Sequence, residues 1–317
     1  MLPSTFMSPA PQFAPAACSL AAVFIWGASD FTGGYASRRA NAFVFTAAAH
    51  ALAFLLMLSL ALAQHAPFPS RASILWSLLA GSIGGFALAV FYRALAEGKM
   101  GLTAPIAALL GAAIPTLADI AMEGAPHAWT FAGFALAIVA IWLITRAEPV
   151  RKLSQDSAAQ SEKQSNEQIN DQIDDEEKTG AVPKGVAVAA LSGVGFAAFY
   201  LCIRQAGAGS PLWIAAISRA ASFIVTAVAV IVTKAPLRLD LPRAAMAAIA
   251  GSFDITGSAL FIYASQHGRL DEAVVISSLY PAVTVILARL ILKEHFSRWR
   301  FIGLLAALAA VPMIAGG

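Results

Sequence analysis

The segment AGSIGGFALAVFYRALAEGK, residues 80–99, recurs 170 positions later as AGSFDITGSALFIYASQHGR, residues 250–269. The match continues without a gap, so that residues 80–140 align with residues 250–310. Seventeen of the sixty-one aligned pairs are identical, where about six are expected for so alanine-rich a composition. The repeated unit is longer than any single helix, which predicts that the chain consists of two copies of one block of helices.

The composition places this block in a membrane. Hydrophobic residues make up 59% of the 317 residues and charged residues only 12%, which does not fit a soluble globular protein. Apolar runs of about 20 residues recur along the chain, and each can cross about 30 Å as a helix. We therefore expect an all-α polytopic membrane protein.

Ten transmembrane helices are predicted, over residues 15–36, 42–63, 73–95, 102–121, 128–145, 186–204, 212–233, 244–265, 273–292 and 299–315. Five spans in each half is an odd number, so the second half enters the bilayer from the opposite side. The chain is therefore predicted to be a 5+5 inverted-topology repeat. The predicted domains are a Pro-rich tail over 1–13, a first repeat over 14–145, a linker over 146–184 and a second repeat over 185–317.

The linker and the tail differ in composition from the spans. Residues 146–184 hold half of the acidic residues and no apolar period, which is typical of a solvated, disordered segment. The first thirteen residues contain three prolines and no Lys or Arg, which argues against a cleaved signal peptide. Cys18 and Cys202 fall inside predicted spans, where we interpret them as small packing residues.

The charges of the short loops bear on orientation. The loops after spans 1, 3, 5, 7 and 9 carry most of the Lys and Arg residues, whereas the opposite loops carry only Arg71, Arg204 and Arg269. Positively charged loops remain in the cytoplasm. This rule alone predicts that both termini lie outside.

Several short motifs resemble a known family. Residues 277–283, SSLYPAV, lead through a helix to Lys293-Glu294 and then to a Trp and a Gly in residues 299–303. Phe24-Ile25-Trp26-Gly27 lies in the first span, and residues 92–98, YRALAEG, end the third. In order, spacing and duplication these motifs are similar to those of the EamA-type drug/metabolite transporter superfamily. The resemblance implies ten spans and the transport of metabolites, with both termini in the cytoplasm in many relatives.

The chain departs from the family pattern at two places. Gly111 stands where the second half has Pro281, with Pro115 one turn later, and Glu123 is displaced by one position from the match to Glu294. The family often carries an Arg in spans 2 and 7. Arg219 fits this pattern in span 7, but span 2 has only His50 nearby.

Three charged residues are candidates for substrate binding or ion coupling. Asp30 lies deep in span 1, Asp254 lies near the middle of span 8, and Arg219 lies in span 7. An ionised group at that depth is costly unless it is hydrated or paired, so such groups commonly serve function. At a spacing of 170, Asp30 falls opposite Tyr200 and Asp254 opposite Gly84, so neither carboxylate is repeated. A structural hydrogen bond or ion pair is the alternative for all three.

Aromatic residues and prolines complete the set of candidates. Aromatic rings can line a binding cavity, although Trp and Tyr also form belts at the membrane interface. Prolines inside membrane helices allow kinks that suit a gating movement. The aromatic candidates are Trp26, Tyr92, Tyr200, Tyr263 and Tyr280, and the gating candidates are Pro105, Pro115 and Pro281.

The predicted function is secondary transport of a small amino-acid-like or amphipathic solute by alternating access, with export as the expected direction. The expected location is a bacterial-type inner membrane. The expected partners are the solute, the lipid bilayer and protons as the coupling ion, in a monomer or a homodimer that does not bind nucleic acid. We find no sequence motif for a metal, a cofactor or a catalytic cluster. An uncoupled facilitator or exchanger, a membrane-embedded enzyme acting on lipid-linked substrates, and a receptor or scaffold remain alternatives.

Overall fold

A computed structural model describes residues 10–96, 100–145, 184–292 and 298–315. Within these ranges the chain is helical and contains no β-strand. The helices are α1 (Ala10–Ser37), α2 (Ala42–Ala63), α3 (Arg71–Ala96), α4 (Met100–Glu123), α5 (Ala128–Thr145), α6 (Lys184–Ala206), α7 (Pro211–Val232), α8 (Leu241–His267), α9 (Leu270–Ser277), α10 (Tyr280–Leu292) and α11 (Arg298–Ala315).

The helices have the length and the surface of membrane spans. Five are long and apolar enough to cross a bilayer, over Phe13–Ser37, Ala42–Ala63, Arg71–Ala96, Pro211–Val232 and Leu241–His267, and shorter apolar helices accompany them. Large apolar side chains such as Leu117, Ile231 and Trp142 are exposed on the outside of the bundle, where lipid can cover them. The chain is therefore an integral, multi-pass membrane protein, and the count of ten spans stays a prediction.

The packing of the helices has a pseudo-twofold pattern. Helix α1 packs against α8, and α3 packs in the same way against α6. Helix α2 packs on α7, and α5 packs on α11. When the two halves of the chain are exchanged, the pair α1–α8 becomes the pair α6–α3, whereas the pairs α2–α7 and α5–α11 stay the same. The sequence repeat is thus also a repeat in three dimensions.

The spacing of the repeat changes once along the chain. The ends of α2, Ala42 and Ala63, match the ends of α7, Pro211 and Val232, at a spacing of 169. The starts of α3 and α8, Arg71 and Leu241, are 170 apart. The connection between α7 and α8 therefore has one residue more than the connection between α2 and α3. Positions before this extra residue align at a spacing of 169. The equivalent of Asp30 in the second repeat is therefore Phe199, and not Tyr200 as the spacing of 170 indicated.

Two glycines of the quoted repeat allow the halves to approach closely. A Cβ atom at Gly81 of α3 would collide with the backbone carbonyl of Ser218 in α7, and one at Gly251 of α8 would collide with that of Ala49 in α2. Ala49 and Ser218 are themselves equivalent at the spacing of 169. Small residues permit such backbone contacts in membranes, where no hydrophobic force drives helices together. The contacts of Gly81 and Gly251 are thus equivalent, one in each half of the repeat.

The main departure from the predicted spans is in the ninth. We expected one helix over residues 273–292, but α9 ends at Ser277 and α10 begins at Tyr280. Pro281 thus occupies the first turn of α10, where its missing N–H costs no intrahelical hydrogen bond. Pro281 therefore lies at the start of a helix and not in the helix interior, where a kink was expected. Its counterpart α4 is continuous through Pro105 and Pro115.

Two of the predicted domain boundaries fall inside helices. Helix α1 begins at Ala10 and includes the last residues of the predicted tail. Lys184, the last residue of the predicted linker, is the first residue of α6. The rest of that linker, residues 146–183, lies outside the described residues, as does Glu294.

The glycine contacts predict a specific loss of stability. Gly81→Ala and Gly251→Ala should each lower the free energy of unfolding by about 1–3 kcal/mol, because the added methyl group forces two packed helices apart. Gly111→Ala is the matched control, since its new Cβ would lie 3.5 Å from the Cβ of Phe196, an ordinary contact. Thermal unfolding of the purified variants in detergent measures the difference. An equal loss in all three variants would contradict the special role of Gly81 and Gly251.

Candidate functional site

A cavity lies in the centre of the bundle, between helices of the two halves. Its volume is about 50 Å³, and since one water needs roughly 10–15 Å³, it holds a few water molecules. Helices α1 and α3 of the first half and α6, α7, α8 and α10 of the second half surround it. Its lining residues are Trp26, Asp30, Gly84, Leu88, Phe196, Phe199, Tyr200, Arg219, Asp254, Ser258 and Tyr280.

One wall of the cavity is formed by a buried ion pair. Nη1 of Arg219 lies 3.1 Å from Oδ2 of Asp254; the two groups are in ionic contact, although Oδ2 of Asp254 has no partner with hydrogen-bond geometry. Nη2 of Arg219 donates to Oγ of Ser258 at 2.7 Å, and that hydroxyl donates to the backbone carbonyl of Asp254 at 2.9 Å. Asp254 and Arg219 thus neutralise each other, and Ser258 fixes the guanidinium.

Aromatic rings form a second wall. The ring centroids of Trp26 and Tyr200 are 6.1 Å apart. Phe261 is not a lining residue but packs against both rings, 5.7 Å from Trp26 and 4.8 Å from Tyr200. Nε1 of Trp26 donates a 3.0 Å hydrogen bond to the backbone carbonyl of Asp254. This hydrogen bond connects α1 to α8 and holds the indole ring beside the ion pair.

Asp30 also lines the cavity, and it has no cationic partner among the lining residues. It is 9% exposed, and the phenol of Tyr92 lies beside its carboxylate. That phenol also lies 3.3 Å from Oγ of Ser29, which donates to the backbone carbonyl of Ala250 at 2.9 Å. Tyr92 is buried behind Asp30 and does not line the cavity itself. This network positions Asp30 but does not neutralise its charge.

Equivalent positions of the two repeats line the cavity with different chemistry. Asp30 corresponds to Phe199 at the spacing of 169, whereas Gly84 corresponds to Asp254 and Leu88 to Ser258 at the spacing of 170. All of these residues line the cavity. The cavity therefore lies on the pseudo-twofold axis, and its polar groups are distributed without symmetry.

Six of the eight substrate or coupling candidates from the sequence line this cavity, and Tyr92 lies directly behind it. Tyr263 does not belong to the group. Its side chain is 36% exposed and its ring stacks on His267 with centroids 4.1 Å apart. The expectation that Tyr263 lies in a binding cavity is therefore not met.

A second polar cluster lies at the end of the bundle where α1 begins and α11 ends, here called the terminal face. The backbone N–H of Asp271, at the start of α9, donates a 3.0 Å hydrogen bond to Oδ2 of Asp119 near the end of α4. Nη2 of Arg204, from the end of α6, lies 3.9 Å from Oδ1 of Asp119. Both carboxylates are buried.

Arg269 fixes this cluster to the loop of the first half. Its Nε and Nη2 donate to the two carboxylate oxygens of Asp271 at 3.1 and 3.0 Å, and Nη2 also donates to the carbonyl of Gly124 at 3.0 Å. The hydrogen bond with Asp271 raises the pKa of the Arg269 guanidinium. Asp119, Arg204, Arg269 and Asp271, which we call the terminal network, therefore join the two halves at this face.

Sequence reasoning missed two features of these sites. Asp119 was not among the candidates from the sequence, yet it is buried and bonded to the other half. Its main partner is a backbone N–H, which leaves no signal in the sequence. His50 corresponds to Arg219 at the spacing of 169; it is fully buried, and neither ring nitrogen has a hydrogen-bond partner. The family pattern pointed to this position, but a role for His50 was not predicted.

Among the described residues, no group of three or more His, Cys, Asp or Glu side chains could hold a metal ion. Cys18 and Cys202 are both free thiols.

The model of the EamA-like transporter family matches residues 15–146 and 183–316, which are the two repeats. The chain belongs to this family. A solved protein structure matches 94% of the chain and 95% of its own length at a TM-score of 0.67 and 14% identity, which shows that the two proteins share a fold. No functionally curated protein matches the chain significantly.

The ion pair predicts strong coupling between two substitutions. Arg219→Met leaves Asp254 buried without its counter-ion, which costs about 3–5 kcal/mol for buried pairs. Adding Asp254→Asn removes the stranded charge and should restore most of that loss. Thermal unfolding of the wild type, both single variants and the double variant gives the coupling energy. Additive losses would show that the two charges do not depend on each other.

Proposed function

We propose that this EamA-like transporter is a secondary transporter that moves a small amphipathic, amino-acid-like or related metabolite by alternating access. The observation that carries the proposal is the central cavity, which lies between two related halves and contains the ionisable residues Asp30, Arg219 and Asp254. Transporters built from inverted repeats bind their substrates near the bilayer midplane, at the interface between the repeats. The proposal includes ten spans in 5+5 inverted topology, a bacterial-type inner membrane and export as the direction.

The charge balance of the cavity supports proton coupling. If all three groups are ionised, two carboxylates face one guanidinium, and a net negative charge in the membrane interior is costly. A proton or a cationic substrate at Asp30 removes this imbalance. The groups around Asp30 are the phenols of Tyr92, Tyr200 and Tyr280 and the paired charges of Arg219 and Asp254. Asp30 is therefore the residue at which proton and substrate would exchange.

The alternating cycle also requires each face to close in turn, and the terminal network suits this role. It joins α4 and its following loop in the first half to α6 and the start of α9 in the second half. Trp213 of α7 adds a hydrogen bond of 2.9 Å from Nε1 to the carbonyl of Ala66, in the loop after α2. Opening the terminal face would break these bonds. The gap between α9 and α10 and the prolines 105, 115 and 281 are the proposed places of bending.

Asp30→Asn tests the function and its coupling together. We expect cells that overproduce the wild type to enrich at least one small molecule in the medium, and Asp30→Asn to reduce that enrichment at least tenfold. Untargeted mass spectrometry of the medium identifies the solute. Tyr263→Phe, which changes a residue outside the cavity, is the matched control and should behave as the wild type does.

In vesicles that contain the purified protein, an imposed pH gradient should then drive flux of the identified solute through the wild type but not through Asp30→Asn. Flux that follows only the solute gradient would show that the protein is an uncoupled facilitator or exchanger. Media that do not differ between the wild type and a strain without the protein would count against export.

Arg269→Ala tests the terminal network. Loss of its bonds to Asp271 and Gly124 should favour opening of the terminal face, and Cys202 should then react faster with N-ethylmaleimide, because this thiol is buried near the end of α6. A Cys18→Ser background leaves Cys202 as the single thiol of the chain. We expect the labelling rate to rise at least threefold.

Arg243→Ala is the control, since Arg243 pairs with Asp240 of its own helix start, at the opposite face. This variant should not change the rate at which Cys202 is labelled. An equal increase in both variants, or no increase in Arg269→Ala, would contradict a gating role for the terminal network.

A further inference from the structure

The two carboxylates of the cavity are in different electrostatic states. Asp254 faces Arg219 at 3.1 Å, and Ser258 holds the same guanidinium at 2.7 Å. Asp30 lies beside the neutral phenol of Tyr92. Among the lining residues, Arg219 is the single cation, so the charge that lacks a counter-ion belongs to Asp30.

The surroundings of Asp30 are suited to a cation with an apolar body. Trp26, Tyr200 and Tyr280 line the same cavity as Asp30, and the faces of such rings attract ammonium groups. An ammonium group placed between Asp30 and these rings would have a salt-bridge partner on one side and aromatic faces on the other. The rest of the ligand would lie against Phe196, Phe199 and Leu88.

The same geometry disfavours a carboxylate on the ligand. Arg219 already contacts Asp254 and Ser258 and is almost fully buried, so a ligand carboxylate would have to displace Asp254 to reach it. Elsewhere in the cavity that carboxylate would face Asp30 or Asp254, and like charges in a medium of low dielectric repel strongly. Repulsion of its carboxylate therefore costs a zwitterion part of the binding free energy that its ammonium group contributes.

We propose that the substrate of this cavity is an amine carried as a monocation, and that Asp30 binds its ammonium group while the pair of Arg219 and Asp254 excludes ligands with a carboxylate. This inference rests on the proposed transport function and narrows its solute from amino-acid-like compounds to amines with an apolar or aromatic body. In the present conformation the cavity admits only a few waters, so the ligand enters when the two halves separate.

Three probes with one apolar body and different charges test the proposal: phenethylamine as the cation, phenylalanine as the zwitterion and 3-phenylpropionate as the anion. Isothermal titration of the purified full chain in detergent gives their affinities at neutral pH. We expect the amine to bind at least tenfold more tightly than the zwitterion, and the anion not to bind. Lowering the pH should weaken binding of the amine, because protonation of Asp30 removes the charge that attracts it.

Variants separate the role of Asp30 from general damage to the fold. Asp30→Asn should weaken binding of the amine at least tenfold, whereas Asp30→Glu keeps the charge and should retain the order of the three probes. Tyr263→Phe should bind all three as the wild type does. Size-exclusion chromatography shows whether each variant remains folded. If Asp30→Asn does not fold, the affinities of Asp30→Glu for the three probes decide whether the charge at this position selects the amine.

The proposal is overturned if the zwitterion or the anion binds as tightly as the amine, if none of the probes binds, or if Asp30→Asn binds the amine normally. These outcomes leave the proposed transport function standing, because that function is judged by the solute found in the medium. A carboxylic acid found there would contradict the amine inference and support transport.

Discussion

The close contact of backbones at Gly81 and Gly251 is the constraint on which the rest of this molecule depends. Each glycine lets a helix of one half lie directly on the backbone of a helix from the other half, at Ser218 or Ala49. Because the contact is made twice around one pseudo-twofold axis, it fixes the distance between the halves. The cavity lies between them, and each half contributes one carboxylate to its lining, Asp30 from the first and Asp254 from the second.

Much of the fold could be predicted because membrane helices and internal repeats leave strong signals in a sequence. The helix bounds of α2 and α5 match the predicted spans, and the family resemblance is confirmed over both repeats. The break before Tyr280 was not predicted, because an apolar segment does not show whether it forms one helix or two. The position equivalent to Asp30 in the second repeat was assigned wrongly. One extra residue before α8 changes the spacing from 169 to 170, and this residue lies outside the aligned segment.

The sites show a similar division. Deep charges such as Asp30, Arg219 and Asp254 could be chosen from the sequence because burial of a charge in a membrane is costly without a reason. Which of them would pair could not be chosen, because pairing depends on how helices from the two halves are rotated against each other. Tyr263 illustrates the same limit, since depth along a helix says nothing about which side of the helix a residue occupies. The bond between Asp119 and the backbone of Asp271 depends on the fold alone.

The unequal lining of the cavity has a consequence for how a duplicated protein can evolve. Had the two repeats stayed identical, every polar group on the axis would occur twice, and a carboxylate in place of Gly84 would stand in the same small space as Asp254. A symmetric pair of chains therefore could not build a cavity whose lining differs between the two halves. Fusion of the two copies into one chain allows each copy to change alone, with glycine at one position and aspartate at its counterpart. The backbone keeps its symmetry while the binding chemistry diverges.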